Sequence, residues 1–267
     1  MNDANPRVLI GSPVRQKAEI LREFLRGCRE LALGDLIVDY LFMDNNTEAE
    51  ASQLLGSFAQ EIPNTSIIET QNEAQYYCDE KTHIWDEELI WKVAGFKNKI
   101  IKKALKDDYD YLFLVDSDLV LHPLTLIHLI SLGKDIVSEI FWTKWEPDFM
   151  ELPQVWVSDQ YNLFDSTRGE SLTPEETALR IIRFIGQLKT PGVYRVGGLG
   201  ACTLIHKKAL QAGVNFSPIY NISFVGEDRH FCIRAAALGL ELFVDTHYPA
   251  YHIYRISDLD ELEDFKL

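Results

Sequence analysis

Hydrophobic residues in the first half of the chain alternate between short continuous runs and repeats at helical spacing. The continuous runs predict buried strands at 8–10, 36–43, 66–69 and 112–115. Apolar residues three or four positions apart predict helices at 20–31, from about 47 to 58 and from 89 to 104. The second of these helices has Asn46 or Thr47 as its expected N-cap. This alternation favours an α/β fold, with a mostly parallel sheet and helices on both of its faces.

In the second half of the chain, the predicted strands and helices no longer alternate regularly. Strands are predicted at 136–141, 193–196, 199–205 and 242–244, with helices near 174–188 and directly after 226. Residues 142–194 form a long polar and aromatic insertion. The sequence contains no internal repeat, low-complexity tract or linker, so we expect a single domain over residues 1–267 with this insertion facing a substrate.

Charge restricts the partners of the chain. The formal net charge is −15 over 267 residues. Nucleic-acid binding depends on clustered Lys and Arg that release counterions, so this charge argues against a nucleic-acid partner. A small phosphorylated substrate fits such a protein if a divalent cation screens its charge.

Cysteine spacing and hydropathy indicate the compartment. Cys28, Cys78, Cys202 and Cys232 are widely spaced, with no Cys-x-x-Cys pair, so reduced and mostly buried thiols are expected. No run approaches the roughly 18 consecutive apolar residues of a membrane span. The first residues lack the basic-then-apolar order of a signal peptide. We therefore expect a cytoplasmic protein without a transmembrane segment.

The candidate chemistry begins at Asp116-Ser117-Asp118, which directly follows the apolar run 112–115. Two carboxylates at the end of a buried strand are costly unless a cation, a proton or a cluster of donors compensates them. One interpretation is a metal site. The alternative is that Asp116 or Asp118 caps a helix that starts near Pro123.

Three later motifs each have two interpretations. The glycine-rich segment 197–201 permits close approach of a ligand, or forms a tight turn between strands. Gly226-Glu227-Asp228 precedes a helix, so Asp228 is either a functional carboxylate or a helix cap. The aromatic segment 245–254 contains His247 and His252, which are either metal ligands or structural residues.

Together and in this order, the four motifs resemble the GT-A glycosyltransferases. The pattern is similar to the beta-1,4-galactosyltransferase and bacterial family-two type, which are inverting enzymes that use nucleotide sugars. The segment before the acidic motif supports the resemblance. In it, Lys97-Asn98 is followed by Ala104-Leu105 and then by Asp108-Tyr109-Asp110-Tyr111. The resemblance covers residues 8–254 and is sparse between 142 and 194. It implies a GT-A domain with a nucleotide-binding half at about 8–120, an acceptor-binding half at about 121–254, and a mixed C-terminal sheet.

The resemblance also implies a metal site. Asp118 resembles the direct ligand, and Asp116 resembles the companion that meets the ribose or a metal-bound water. His252 resembles the third protein ligand, with His247 as the alternative. The expected ion is Mn²⁺ or Mg²⁺, whose oxygen-rich shell the diphosphate of the donor would complete.

The implied catalytic residues are Asp228 and Glu227. Asp228 resembles the general base that deprotonates the acceptor hydroxyl, and Glu227 the residue that positions donor or acceptor hydroxyls. One base on the face opposite the leaving group implies a single displacement, and hence inversion at the anomeric carbon. The activity implied is transfer of a hexosyl group.

The implied donor site is less regular. Its candidate residues are Pro13, Arg15, Asp44, Lys97, Asn98, Asp116, Ser117 and Gly198. The family's usual Asp-Asp-Gly-Ser after the second strand is replaced by Asp44-Asn45-Asn46-Thr47. A UDP-sugar is the expected donor.

The acceptor and the rival function classes stay open at this point. A glycan, a lipid-linked sugar and a peptide are all candidate acceptors, and the insertion offers aromatic side chains that either face a sugar or form a small core. The alternatives to an enzyme of this family are a non-catalytic, metal-dependent carbohydrate-binding module and a phosphatase of the haloacid dehalogenase type. That phosphatase carries Asp-x-Asp on its first strand, followed by a loop with Thr.

Overall fold

The computed structural model describes residues 5–70, 77–78, 83–84, 86–146, 149–158, 160–223 and 226–265. The strands are β1 (Arg7–Val14), β2 (Ile37–Asp44), β3 (Thr65–Glu69), β4 (Tyr77–Cys78), β5 (His83–Ile84), β6 (Tyr111–Leu114), β7 (Leu119–Val120), β8 (Ile136–Thr143), β9 (Leu152–Pro153), β10 (Val155–Trp156), β11 (Val193–Val196), β12 (Gly198–Leu199), β13 (Thr203–His206) and β14 (Leu242–His252).

The helices are α1 (Ala18–Glu30), α2 (Ala49–Glu61), α3 (Glu87–Lys106), α4 (Thr125–Ser131), α5 (Pro174–Leu188), α6 (Lys207–Ala212), α7 (Glu227–Ala237) and α8 (Leu262–Phe265), with a 3₁₀ turn at Ile256–Leu259. Within the described ranges, no helix combines the length and the hydropathy needed to cross a bilayer.

The central sheet has the strand order β11-β14-β8-β13-β6-β1-β2-β3. Strands β3, β2, β1 and β6 are parallel to one another. Strand β13 is antiparallel to both β6 and β8, and β14 is parallel to β8, so β8 and β14 run in the same direction as β6. Only β13 and β11 run the other way along this strand order. The predicted sheet, parallel in its first half and mixed in its second, is confirmed.

Helices cover both faces of the sheet because its strands are apolar on both sides. Leu9 packs in one core with Ile100 of α3, while Val8 and Ile10 pack in a second core with Phe24 of α1. Successive side chains of a strand point to opposite faces, so a strand between two cores is apolar at consecutive positions. This explains why the first strands appear in the sequence as continuous hydrophobic runs.

The predicted N-cap of α2 is wrong. The helix begins at Ala49, and its N-cap Glu48 makes no side-chain capping bond. Asn46 instead joins two loops: its Oδ1 accepts from the backbone N–H of Gln16 at 2.8 Å, and its Nδ2 donates to Asp44 Oδ1 at 2.9 Å. The amide that could have capped the helix fixes the loop after β1 to the end of β2.

The strand predicted at 199–205 is divided. Strand β12 pairs with β10 of the insertion, and β13 joins the main sheet between β6 and β8. The glycines explain the close approach of the insertion, because a Cβ on Gly198 would lie 1.9 Å from Cε2 of Trp156 and a Cβ on Gly197 would lie 1.9 Å from Val157 O. Here glycine makes room for the protein's own chain.

Cysteine burial agrees with the sequence for the residues described. Cys28, Cys202 and Cys232 are buried free thiols. The side chain of Cys78 lies outside the described part of the structure.

Gly11 provides a test of the packing between β1 and α3. A Cβ at this position would lie 2.4 Å from Cγ2 of Ile100, which is fully buried. Overpacking of this kind typically costs about 1–3 kcal/mol, so we expect Gly11→Ala to lower the free energy of unfolding by that amount in urea titrations. Gly56→Ala within α2, where a Cβ meets nothing within 4 Å, is the matched control and should be stabilising by roughly 0.5–1 kcal/mol. Equal stability of Gly11→Ala and wild type would contradict this packing.

Candidate active site

Five parallel strands end at one edge of the sheet and bring the predicted site together. Because β1, β2, β6, β8 and β14 run in the same direction, their carboxyl ends share this edge. Open α/β sheets bind ligands beyond the carboxyl ends of their strands. The residues at the ends of these strands, or within two positions after them, are Arg15, Asp44, Asp116, Thr143 and His252.

The acidic motif leaves the sheet between two strands. After β6, Asp116-Ser117-Asp118 leads directly into β7, where Leu119 pairs with His252 of β14. The helix-capping alternative is wrong, because the N-cap of α4 is Leu124, whose backbone N–H donates to Nδ1 of His122 at 3.0 Å. The two carboxylates are therefore available for another partner.

His252 lies beside the acidic motif. Its Nε2 is 3.6 Å from Oδ2 of Asp118, and its Nδ1 is 2.9 Å from Oγ1 of Thr143 at the end of β8. When Nδ1 carries the proton and donates to Thr143, Nε2 faces Asp118 with a free lone pair. An imidazole nitrogen beside a carboxylate in this form can ligate a cation.

His247 lies in a different environment. Its Nδ1 is 2.8 Å from Oδ2 of Asp245, and His128 approaches the same oxygen from α4. The structure thus brings His252, and not His247, to the carboxylate of Asp118.

A buried lysine joins the predicted catalytic carboxylates. Lys97 of α3 is 3% exposed, and its Nζ lies 2.9 Å from Oε1 of Glu227 and 3.1 Å from Oδ1 of Asp228. Helix α7 begins at Glu227 with Gly226 as its N-cap, so Asp228 lies inside the first turn and does not cap the helix. The capping alternative for Asp228 is wrong, and its carboxylate is held by Lys97.

Burial raises the pKa of both Asp116 and Asp228 toward neutral pH. Burial raises the pKa of Asp228 to about 7; Lys97 opposes the rise, and Glu227 and Asp116 add to it. Burial likewise raises the pKa of Asp116 to about 6, again opposed by Lys97 and increased by Asp118. Burial alone would lower the pKa of Lys97, but the neighbouring carboxylates raise it well above its usual value. Lys97 therefore stays charged, and Asp228 can both accept and release a proton near neutral pH.

Two cavities meet at the acidic motif. The smaller has a volume of about 100 Å³, and the larger has a volume of about 500 Å³. Asp116, Asp118 and Glu227 line both of them. The motif therefore lies where the contents of the two cavities would touch.

The smaller cavity lies between the loop after β1 and helix α3. Its walls include four predicted donor-site residues, Pro13, Arg15, Asp116 and Ser117. The residues that sequence reasoning missed are Val14, Gln16, Asn45, Leu89, Val93 and Phe96. The last three follow the helical repeat of α3, and that repeat does not distinguish a cavity wall from core packing.

The larger cavity is bounded by the insertion. Asp228 and His252 line it together with four aromatic side chains, those of Trp145, Trp156, Tyr161 and Tyr254. The aromatic side chains of the insertion differ in burial. Trp156 is 3% exposed and belongs to the core, whereas Trp145 is 45% exposed.

Four predicted donor-site residues lie outside both cavities. One is Lys97, which contacts Glu227 and Asp228 as described above. Asn98 Oδ1 accepts from the backbone N–H of Phe216 at 2.8 Å, and Gly198 lies against the indole of Trp156. Asp44 Oδ1 accepts from the backbone N–H of Asn46 at 3.0 Å, and the neighbouring Asn45 lines the smaller cavity. Of the glycine-rich segment 197–201, Gly200 lines the larger cavity. Donor contacts by Lys97, Asn98, Asp44 and Gly198 stay predictions.

Comparisons with known proteins support the fold and not a family. No family model matches the sequence, and no curated protein matches it. The structure is similar to that of the mannosyltransferase PcManGT from Pyrobaculum calidifontis, solved in complex with GDP-Man and Mn²⁺, with a TM-score of 0.54 and 11% sequence identity. The match covers 94% of this chain and 57% of the mannosyltransferase chain.

The chain has a GT-A-like glycosyltransferase fold. The fold class predicted from the sequence is thereby confirmed. The match spans little more than half of the mannosyltransferase, and its sequence identity is low, so this likeness carries the fold alone.

Lys97 provides a test of the buried charge cluster. Removing one partner of a buried ion pair typically costs about 3–5 kcal/mol, so we expect Lys97→Met to lower the free energy of unfolding by that amount near pH 8. The loss should be smaller near pH 5. Without Lys97 the folded-state pKa values of Asp116 and Asp228 rise further above their unfolded values, and a carboxyl with a raised pKa loses its stabilising proton as pH increases.

Urea titrations at about pH 5 and about pH 8 measure both parts of this expectation. Lys102→Met, at an exposed position of the same helix, is the matched control and should be near neutral at both pH values. A deficit in Lys97→Met that is independent of pH would contradict the coupling to the carboxyls.

Proposed function

We propose that this protein is a metal-dependent glycosyltransferase that moves a sugar from a nucleotide sugar to a hydroxyl acceptor. The observation that carries the proposal is the position of Asp116 and Asp118 between two cavities, with Asp228 on the wall of the larger one. The mannosyltransferase with a similar fold was solved with a nucleotide sugar and Mn²⁺. The activity, the donor and the mechanism are our inference for this chain.

The residues at the acidic motif fit a divalent cation. Asp118 and His252 would hold it, with Asp116 beside them, and this oxygen-rich set suits Mn²⁺ or Mg²⁺. Burial raises the pKa of Asp116, and the carboxylates of Asp118 and Glu227 add to the rise, so a cation at this position would compensate buried negative charge. When bound, such a cation supplies Lewis-acid stabilisation of the charge that develops on a diphosphate leaving group.

The smaller cavity is our proposed donor site. Arg15 and the acidic motif with its cation would meet the diphosphate, and the apolar wall of α3 would face the base or ribose. A uridine diphosphate sugar is the donor we propose, with a guanosine diphosphate sugar as the second to test. In a chain of net charge −15, anion binding depends on such local cations.

We assign Asp228 as the general base and Glu227 as a positioning residue. The acceptor O–H proton passes to Asp228 as the oxygen bonds to the anomeric carbon, and the electrons of the breaking glycosidic bond leave with the diphosphate. A base with a pKa of about 7 is well matched to this task near neutral pH. Lys97 would act through the two carboxylates, by limiting the pKa and fixing their orientation.

The larger cavity is our proposed acceptor site. Its volume of about 500 Å³ and its aromatic wall suit a carbohydrate, whose C–H faces pack on aromatic rings. Trp145 and Tyr254 contact each other edge to face, with ring centroids 5.4 Å apart. A glycan or a lipid-linked sugar is therefore the acceptor class we favour over a peptide.

Asp118→Asn tests the cation assignment. The change removes a charged ligand in a nearly isosteric way, so we expect Mn²⁺-dependent transfer to fall by at least about a hundredfold, or roughly 2.7 kcal/mol of transition-state stabilisation. Asp165→Asn, at an exposed position of the insertion, is the matched control and should keep wild-type transfer. Full activity of Asp118→Asn, or of wild type in excess chelator, would contradict the assignment of Asp118 as a cation ligand.

Asp228→Asn tests the base. The variant should still bind donor and cation, but transfer should fall by about a hundredfold or more, as expected when a general base is removed. Proton NMR of the product from an alpha-linked donor should show a new beta linkage. A product with an alpha linkage would overturn inversion and the role of Asp228, and near-normal transfer by Asp228→Asn would reduce that residue to a structural one.

A further inference from the structure

Strand β14 leaves the sheet in its middle and returns. Asp245 pairs with Glu139 of β8, and the next pair is Ala250 with Phe141, so the four residues 246–249 stand opposite the single residue Ile140. A bulge bends the strand and redirects side chains. In β14 the bulge places the imidazole of His247 next to the carboxylate of Asp245, two residues earlier in the chain.

Two imidazoles converge on one buried oxygen. Oδ2 of the fully buried Asp245 lies 2.8 Å from Nδ1 of His247 and 3.1 Å from Nε2 of His128 on α4. One ligating atom from each of the three residues falls in a group whose members all lie within 4.8 Å of one another. Ligands about 2.0–2.1 Å from a tetrahedral ion lie roughly 3.3 Å apart, so small side-chain adjustments would suffice.

A buried carboxyl next to this cluster has one oxygen without a hydrogen-bond partner in the described part of the structure. Glu139 is 1% exposed; its Oε1 accepts from the backbone N–H of Tyr248 at 3.3 Å, and its Oε2 has no hydrogen-bond partner among the described atoms. Paired strand residues project on the same face, so this carboxyl lies beside that of Asp245. Two adjacent buried carboxyls need a cation or a proton between them.

We propose that His128, Asp245 and His247 form a second metal site that binds a Zn²⁺-class ion, with the carboxyl of Glu139 beside it. Two imidazoles with carboxylates favour such an ion over Mg²⁺. The side chains of His128 and His247 are 23% and 37% exposed, which gives an ion a path from solvent.

The role of this site is structural. An ion held there would fix the bulge 246–249 to α4 and so stabilise the segment that leads to His252. Neither His128, Asp245 nor His247 lines the two cavities at the acidic motif. The proposal therefore goes beyond the proposed function and does not depend on it.

The test is a competition titration of Zn²⁺ against a chromophoric chelator, using the full chain freed of metal and kept in excess Mg²⁺ to occupy the oxygen-rich motif. We expect wild type to bind one tight Zn²⁺. His128→Gln and His247→Gln should each weaken Zn²⁺ binding by at least about tenfold, since even residues that only support a metal ligand contribute 10–100-fold. His122→Gln, a neighbouring histidine outside the cluster, and Asp118→Asn are the matched controls and should bind as wild type.

Two further measurements keep the result independent of folding defects. Far-UV circular dichroism checks that each glutamine variant is folded, and Zn²⁺ should raise the melting temperature of wild type but not of a folded His247→Gln protein. Co²⁺ in place of Zn²⁺ should give visible bands in wild type that are lost in the same variant. The proposal is overturned if wild type binds no Zn²⁺, if both histidine variants bind it as wild type does, or if Asp118→Asn abolishes the binding.

Discussion

The contact of the Lys97 ammonium with Glu227 and Asp228 is the interaction on which the site depends. It joins α3 to the first turn of α7, and its charge also acts on Asp116 at the end of β6. Carboxylates buried together without a cation would either protonate or force the helices apart. The lysine therefore allows an acidic edge to exist inside an already acidic protein.

The two carboxylates that we assign to metal binding and to proton transfer, Asp118 and Asp228, have different neighbours at this edge. The ammonium of Lys97 contacts Asp228, whereas the imidazole of His252 lies beside Asp118. A divalent ion held by Asp118 and His252 would leave Asp228, which contacts Lys97, to accept a proton. This division matches a reaction in which one end of the site stabilises a leaving diphosphate and the other deprotonates an acceptor.

Much of the fold follows from the sequence, because β1, β2 and β6 are buried on both faces and appear as continuous apolar runs ending in polar motifs. The sequence does not distinguish His252 from His247, because that choice depends on a bulge whose register is set by β8. Lys97 and Glu227 are 130 residues apart, so their contact follows only from the tertiary packing of α3 on α7. Glu139 looks like an ordinary strand position in sequence, and its unpartnered oxygen appears only when β14 is placed beside it.

The most direct test of the central claim is release of nucleoside diphosphate from a panel of nucleotide sugars, with Mn²⁺ present and water as a slow acceptor. We expect release from one donor class, its loss in excess chelator, and its stimulation by a carbohydrate acceptor. A carbohydrate-binding module would release nothing, and a phosphatase would instead liberate inorganic phosphate from phosphate monoesters. Either of these results would contradict the account of this edge as a glycosyl-transfer site.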